Sequence, residues 1–246
     1  MKEKIDITMT ATLRSSILKK TLSSFRENLF YDDINRYRLI INIDPVGETE
    51  KFKNIIRVCN LYFNDVIYNT PKKPSFPKAV IWTWSKVEAN WVFHLEDDWI
   101  IHRRTDIDDM IDILLERPSI ACLRLCKLYI PRSKRPKLFN CRYNPNKNRN
   151  FLVASDSKKQ FGLNPVLIKG EFVKRAFPRM VDYKNPEKQF RYGNELMRDF
   201  VMKWEYAIYG KPGDSPLVSD HGLEWRIEHK LIKPRNKQFL VWRKAR

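Results

Sequence analysis

The sequence has 246 residues, of which 43% are apolar and 13% aromatic, enough to bury the core of one large domain. Its 47 lysines and arginines outnumber 29 aspartates and glutamates, which gives a formal charge of +18. This composition excludes collagen-like and low-complexity chains, and no apolar run approaches the ~20 residues of a membrane span. Without a secretion signal or a disulfide pattern among its four cysteines, the chain is expected to be soluble and cytoplasmic.

Alternating strand and helix patterns fill the first hundred residues. Residues 4–10 alternate apolar and polar side chains and predict a strand, after which Thr12 is placed to cap an amphipathic helix. A second strand is predicted to end at Asp44, because Pro45 follows. The next predicted elements are a helix over 48–61, a strand over 65–68, a helix over 78–89 and a strand over 91–95. This order predicts an α/β domain whose mostly parallel central sheet carries helices on both faces.

The second half of the chain is less regular. The pattern predicts helices over 106–116, 171–177 and 195–209, and strands over 120–125 and 162–168. Residues 127–150 form a long basic segment, and the sequence from residue 215 onward shows little periodicity. A connection as long as 127–150 is typical of functional or mobile loops.

Two acid-free segments carry seventeen of the eighteen excess positive charges. Residues 117–155 contain ten bases and residues 229–246 contain seven. A single run of charge is usually a solvated loop, but two such segments favour a face that binds a polyanion, with nucleic acid first and anionic membrane second. The residues expected to contact nucleic acid are Arg132, Lys134, Arg135, Lys137, Arg142, Lys147, Arg149, Lys233, Arg235 and Lys237.

Three consecutive acids, Glu96, Asp97 and Asp98, end the apolar strand over 91–95. Neighbouring carboxylates are costly unless a positive group lies beside them, and Mg²⁺ or Mn²⁺ prefers such oxygen ligands. The alternative is a solvated turn in which Asp98 caps the following segment. Because ligands bind outside the carboxyl ends of parallel strands, Thr10 and Asp44 belong to the same region of the sheet.

These features together resemble the GT-A-fold nucleotide-sugar glycosyltransferases: the βαβαβ half, the aspartate after strand two and the acidic triplet after strand four. The resemblance covers about residues 4–110 and is closest to family 2-like enzymes with an EDD form of the DxD motif. The EDDW sequence and the basic second half also look like phage glycosyltransferases that modify bases in DNA, which would place the protein in the host cytoplasm. The resemblance implies one Rossmann-like domain, with residues 1–115 binding the nucleotide sugar and 116–246 the acceptor.

The resemblance also assigns residues to the donor. Thr10 and Arg14 would lie near the nucleotide, Asp44 would accept a hydrogen bond from the base of a UDP-sugar, and Lys78 would lie near the diphosphate or ribose. Asp98 would bind Mn²⁺ or Mg²⁺, while Glu96 and Asp97 would contact ribose, sugar or metal-bound water. A late histidine is often a further metal ligand in this family. His221 is the preferred candidate, and His229 is the other.

An inverting transferase needs a base that takes the proton of the acceptor hydroxyl. In these families the base is an acid at the start of a helix in the second half, and Glu195 is expected to fill this role, with Asp199 in reserve. Glu195 also suits a purely structural role beside a helix N-terminus. Residues 161–165 (FGLNP) resemble the acceptor-side loop.

The expected function is therefore transfer of a sugar from a nucleotide sugar to a hydroxyl of a modified base, such as a hydroxymethylpyrimidine, in double-stranded DNA. A glycan, lipid or protein acceptor is the first alternative. A non-catalytic nucleic-acid-binding protein is the second.

Overall fold

A computed structural model of the chain describes residues 2–47, 51–130, 132, 137–138, 141–145, 151–154, 161–190, 194–232 and 243–244. Much of the two basic segments lies outside these ranges. The expected nucleic-acid contacts outside the described residues are Lys134, Arg135, Lys147, Arg149, Lys233, Arg235 and Lys237. Of the others, Lys137 and Arg142 pair across two antiparallel strands, and the Arg132 side chain lies against Gly213.

The strands of the described residues follow the chain in this order: β1 (Ile5–Leu13), β2 (Tyr37–Gly47), β3 (Asp65–Asn69), β4 (Trp91–Glu96), β5 (Trp99–Ile101), β6 (Ile120–Leu125), β7 (Lys137–Leu138), β8 (Cys141–Pro145), β9 (Phe151–Ala154), β10 (Val166–Lys169), β11 (Glu205–Tyr209), β12 (Val218–Asp220), β13 (Leu231–Ile232) and β14 (Arg243–Lys244). The helices are α1 (Ser15–Asn28), α2 (Phe52–Asn60), α3 (Phe76–Ser85), α4 (Ile107–Glu116), α5 (Gly170–Ala176), α6 (Pro186–Lys188), α7 (Glu195–Met202) and α8 (Gly222–Glu228).

One sheet organises the molecule, with strand order β3-β2-β1-β4-β10-β6-β11-β9-β8-β7. From β3 to β11 its strands are parallel except for β10, which runs antiparallel to both of its neighbours. Strands β9, β8 and β7 extend it by antiparallel pairing. The mostly parallel sheet is as predicted, and the parallel order places the carboxyl ends of β1, β2 and β4 side by side.

Both faces of the sheet are covered, as predicted. On one face Phe25 and Phe30, from α1 and the turn after it, pack against Phe93 of β4. On the other face Trp84 of α3 packs edge-on against Phe161. Parallel strands need such double coverage because the crossover helices lie on their faces.

The predicted elements of the first half are confirmed, with shifted boundaries. Thr12 does not cap a helix, since β1 continues to Leu13 and α1 begins at Ser15. Pro45 does not end β2, because the pairing of β1 with β2 changes register between Thr12 and Leu13, and an irregularity of this kind accommodates proline.

The helix predicted over 195–209 is wrong. Helix α7 ends at Met202, and residues Glu205–Tyr209 form β11, a nearly completely buried strand between β6 and β9. A short, mostly apolar run has the same pattern in a buried strand and in a buried helix. The weakly periodic sequence after residue 215 contains β12 and α8, and β12 pairs with β5. Within the described ranges, no helix is both long enough and apolar enough to cross a membrane.

Candidate functional site

A cavity of about 420 Å³ opens at the carboxyl ends of β1, β2 and β4. This is the edge of the sheet at which the sequence places the acidic triplet. Two walls can be distinguished. The residues that border the cavity on the strand-end wall are Thr10, Ala11, Thr12, Arg14, Asp44, Val46, Phe76, Glu96, Asp97, Asp98 and Trp99. The opposite wall is formed by Asn164, Asn185 and Glu187 from the second half of the chain. Lys127 and Asp220, also from the second half, border the cavity beside Trp99 and are counted with the strand-end wall.

Asp97 holds the connection between β1 and α1. One of its carboxylate oxygens accepts the Thr12 backbone N–H (2.9 Å) and the Thr12 hydroxyl (3.1 Å). The Arg14 guanidinium donates to both oxygens of the same carboxylate, and Asp97 is only 3% exposed. Asp97 therefore fixes the backbone at the end of β1, and its contacts are with protein groups.

Arg14 lies inside the strand-end wall and is 2% exposed. Besides Asp97, it pairs with Asp98 through Nη2 and Oδ2 at 3.0 Å. Its guanidinium carbon lies 5.0 Å from the centre of the Trp225 ring of α8, a cation–π arrangement. The residue expected near a nucleotide is thus the buried partner of two of the three acids.

Asp98 and Asp220 come together through the pairing of β5 with β12, which sets Asp220 opposite Trp99. The carbonyl of Asp98 also accepts the His221 backbone N–H at 2.8 Å. Gly222 makes this approach possible, since a Cβ there would lie 2.1 Å from Asp98 Oδ2 and 3.1 Å from Asp220 Oδ1. The two carboxylates therefore lie close together, with Asp98 Oδ2 paired to Arg14 and Asp220 Oδ1 accepting the Gly222 backbone N–H at 2.8 Å.

The electrostatics of Asp98 reflect this crowding. Burial, reinforced by the neighbouring charges of Asp97 and Asp220, raises the pKa of Asp98 to about 6, although Arg14 acts in the opposite direction. An additional cation beside Asp98 would favour its ionised form.

His221 does not border the cavity. Its ring nitrogens lie 2.9 Å from the Ser219 hydroxyl and 3.0 Å from a Glu224 carboxylate oxygen, on the solvent side of α8. His229, the other histidine considered, stacks on Trp225 with ring centres 4.1 Å apart. The side chain of this segment that borders the cavity is instead that of Asp220, which was not among the predicted ligands. An aspartate before a His-Gly pair at the end of a short strand is the signal that was available.

Asp44 organises the other end of the strand-end wall. Its carboxylate accepts from the Asn42 side-chain amide (2.8 Å) and from the Ser75 backbone N–H (3.0 Å), and burial raises its pKa. Ser75 in turn caps α3 by accepting from the Lys78 N–H. This anchoring places Phe76, with Val46, at the cavity as an apolar surface that the sequence did not identify. The Lys78 ammonium pairs with exposed Asp182 at 3.3 Å and does not border the cavity.

The opposite wall is built from short connections. Asn164 precedes β10, and Asn185 and Glu187 belong to the turn that forms α6. Glu187 accepts the Leu163 backbone N–H at 2.9 Å. By contrast, Glu195 and Asp199 lie on the exposed face of α7, where the Asp199 side chain is 91% exposed, and neither borders the cavity.

Comparison with solved structures identifies the architecture. TarS 1-349 from S. aureus in complex with UDP-GlcNAc superposes with a TM-score of 0.56 at 14% identity, over 87% of this chain and 57% of that one. The mannosyltransferase PcManGT from Pyrobaculum calidifontis, in complex with GDP-Man and Mn²⁺, gives 0.55 at 10% identity, over 86% and 55%. GalNAc-T7 with UDP, GalNAc and Mn²⁺ gives 0.56 at 9% identity, over 84% and 42%.

The chain has the GT-A fold. It spans somewhat more than half the length of the TarS and PcManGT chains that it matches. No protein-family model matches the sequence, and no curated protein sequence does either.

The charged side chains that border the cavity of this GT-A fold can be compared with the ligands that a divalent cation requires. Among the described residues, six carboxylates and two cationic side chains border the cavity, and no group of three or more His, Cys, Asp or Glu side chains is arranged to hold a metal ion. Mg²⁺ and Mn²⁺ are commonly held by one or two carboxylates together with substrate phosphates. Asp98 and Asp220, which lie close together beside Gly222, fit that arrangement.

Proposed function

We propose that this protein is a metal-dependent glycosyltransferase that takes a sugar from a nucleotide-sugar donor, a UDP-sugar in the first instance. The observation that supports this proposal is the cavity itself. An anchored aspartate and an apolar surface lie at one end, and two converging carboxylates lie at the other, at the strand edge of a GT-A fold. The structural neighbours described above were solved with UDP-GlcNAc, with GDP-Man, or with UDP and GalNAc.

Asp98 and Asp220 would hold Mn²⁺ or Mg²⁺ in this proposal. When bound, the ion supplies positive charge that offsets the charge of the nucleoside diphosphate. An excess of carboxylates at the cavity would otherwise repel that diphosphate. Arg14 keeps Asp97 and Asp98 in place from within the wall, as their ion pairs indicate.

The nucleoside would lie at the Asp44 end of the cavity. Asp44 would accept a hydrogen bond from the base, and Phe76 and Val46 would cover the base ring. Thr10 and Glu96 border the cavity between this end and Asp98, a position that suits contact with ribose or sugar. Residues 1–115 would thus form the donor half and 116–246 the acceptor half.

We further propose that the acceptor is a hydroxymethylpyrimidine in double-stranded DNA and that transfer inverts the anomeric centre. The support is the concentration of positive charge in residues 117–155 and 229–246, both within the acceptor half. Such charge would hold DNA phosphates without reading sequence, and the modified base would have to leave the stack to enter the cavity.

A transfer assay tests this function. The protein is incubated with Mn²⁺, a panel of UDP-sugars and either hydroxymethylcytosine-containing DNA or unmodified DNA, and digested nucleosides are examined by mass spectrometry. We expect one added sugar on the hydroxymethylated nucleoside only. The rate on DNA should fall steeply with salt, whereas hydrolysis of the UDP-sugar should change little.

Other outcomes discriminate between the alternatives. Transfer to lipid or glycan extracts but not to DNA would keep the donor assignment and replace the acceptor. DNA binding without binding of any UDP-sugar, and with no effect of Asp98→Asn, would indicate a non-catalytic nucleic-acid-binding protein.

A further inference from the structure

We infer that Glu187 is the catalytic base that removes the proton from the attacking hydroxyl. The inference deepens the proposed function and rests on it. It replaces the expectation that Glu195 or Asp199 fills this role.

The arrangement of the cavity carboxylates leads to Glu187. On the strand-end wall, Asp97 is engaged by Thr12 and Arg14, and Asp44 by Asn42 and Ser75. Asp98 and Asp220 converge beside Gly222 at the proposed cation site. Glu96 ends β4 within the same acidic cluster. Among the described residues that border the cavity, Glu187 is the carboxylate of the opposite wall.

The position of Glu187 is built into the fold. Asn185 caps the single turn of α6 by accepting the Lys188 N–H, and Pro186, the residue before Glu187, is buried. The Leu163 N–H then donates to Glu187 Oε1 at 2.9 Å. A Cβ at Gly162 would lie 3.4 Å from this Oε1 and 2.9 Å from Arg124 Nη1, so the connection before β10 packs closely against the carboxylate.

This geometry suits proton transfer. Among the described residues, Glu187 accepts one hydrogen bond, from the Leu163 backbone N–H to Oε1. Oε2 therefore remains available to take a proton. A base held by a backbone N–H keeps its orientation while the substrate changes, which is what general base catalysis requires.

The chemical step balances without an added reagent. The acceptor O–H proton moves to Glu187 Oε2 as the acceptor oxygen forms a bond to the anomeric carbon. The bond between that carbon and the diphosphate oxygen breaks, and its electron pair leaves with the nucleoside diphosphate. Attack from the side opposite to the leaving group inverts the anomeric centre.

Glu195 and Asp199 are poorly placed for this step. Both side chains lie on the exposed face of α7, outside the residues that border the cavity. Asn194, which precedes them, is instead the N-cap of α7 and donates to the Arg179 carbonyl. The acid at a helix start in the second half that reaches the cavity is on α6, one short element earlier.

Azide provides a test that does not depend on the acceptor. Water must lose a proton as it attacks the sugar, whereas azide is already an anion and needs no base. Wild type, Glu187→Ala and Glu187→Gln are incubated with Mn²⁺ and UDP-glucose, UDP-N-acetylglucosamine or UDP-galactose, with and without sodium azide. Free sugar and glycosyl azide are measured, and UDP binding is measured in parallel. Glu195→Ala is the competing variant, and Glu171→Ala, on the exposed surface of α5, is the control.

We expect hydrolysis by both Glu187 variants to fall about a hundredfold or more, with UDP binding unchanged. Azide should restore turnover in Glu187→Ala, and the glycosyl azide should be the inverted anomer. Glu171→Ala should behave like wild type. The assignment would be overturned if hydrolysis were unchanged in both Glu187 variants or if azide failed to restore turnover in Glu187→Ala. It would also be overturned if Glu195→Ala, rather than Glu187→Ala, lost hydrolysis and was rescued by azide. If wild type binds neither UDP nor a UDP-sugar in the presence of Mn²⁺, the proposed function itself fails, and this inference fails with it.

Discussion

The two walls of the cavity are built differently. The strand-end wall lies on β1, β2 and β4, and its carboxylates are held by hydrogen bonds and ion pairs within the protein, as Asp97 and Asp44 illustrate. The opposite wall consists of short connections, and Glu187 receives one backbone hydrogen bond there among the described residues.

This difference is one that the two substrates of the proposed transferase would require. Groups on regular, buried strands are positioned in advance, which suits a ligand of fixed structure such as a nucleoside diphosphate. Loops carried by a rigid scaffold vary more readily, which suits an acceptor that differs between related enzymes. The comparison predicts that variants of the strand-end wall affect donor and metal binding, whereas variants of the opposite wall affect the attacking group.

The largest effect is expected for Asp98→Asn. Loss of a proposed metal-binding carboxylate should weaken Mn²⁺-dependent UDP binding about a hundredfold or more, measured by calorimetry. Asp112→Asn, an exposed change on α4, is the matched control and should bind like wild type. Equal UDP affinity of Asp98→Asn and wild type would contradict a metal site on the strand-end wall.

A second pair of variants compares Asp220 with its neighbour. Asp220→Asn should reduce Mn²⁺ affinity by about 10–100-fold, because its carboxylate lies close to that of Asp98 beside Gly222. His221→Ala should change it little, since its ring contacts Ser219 and Glu224 instead. Metal affinity is read from the Mn²⁺ dependence of UDP binding. If His221→Ala reduced Mn²⁺ affinity more than Asp220→Asn does, the metal ligand would be His221 and not Asp220.

A third prediction concerns stability without metal or donor. Because the pKa of Asp98 is raised to about 6, the folded state binds its proton more tightly than the unfolded chain does, and ionisation of Asp98 destabilises the fold as pH rises through 6. Asp98→Asn should therefore raise the free energy of unfolding by about 1–3 kcal/mol at pH 8.

Urea unfolding at pH 8 and near pH 4 measures this effect, and the difference should shrink at the lower pH, where Asp98 is protonated in the folded state. A variant that is less stable than wild type at pH 8 would mean that the ion pair with Arg14 outweighs burial and repulsion.

The smallest effect is expected for Phe76→Ala. Loss of an aromatic surface from the Asp44 end should weaken UDP binding by about 0.5–1.5 kcal/mol, without changing its Mn²⁺ dependence. Phe177→Ala, at a partly buried site away from the cavity, controls for a general loss of packing. An unchanged affinity in Phe76→Ala would place the nucleoside elsewhere.

Much of the fold could be predicted because the first half alternates long, periodic elements. Strand β1, helix α1 and strand β2 each have a hydrophobic pattern that fits one type of secondary structure. Strand β11 could not be predicted, because a short apolar segment does not reveal whether it pairs with a sheet or packs as a helix. That choice is made by β6 and β9, which are distant in sequence.

The site divides in the same way. Thr10, Asp44 and Asp98 lie at or just after the ends of predicted strands, and parallel order alone brings their positions to one edge. Asp220 reaches Asp98 only through the antiparallel pairing of β5 with β12, and Glu187 reaches the cavity through a three-residue helix. The local sequence pattern predicts neither of these two arrangements.

The pairing of β5 with β12 also has a consequence for biosynthesis. A ribosome adds roughly 5–20 residues per second, so the segment with Asp98 leaves the exit tunnel well before β12 has been translated. Until β12 pairs with β5, the nascent chain has Asp98 without Asp220 and Gly222 beside it. A polypeptide released before Val218 would contain most of the sheet, yet its acidic pair would be incomplete.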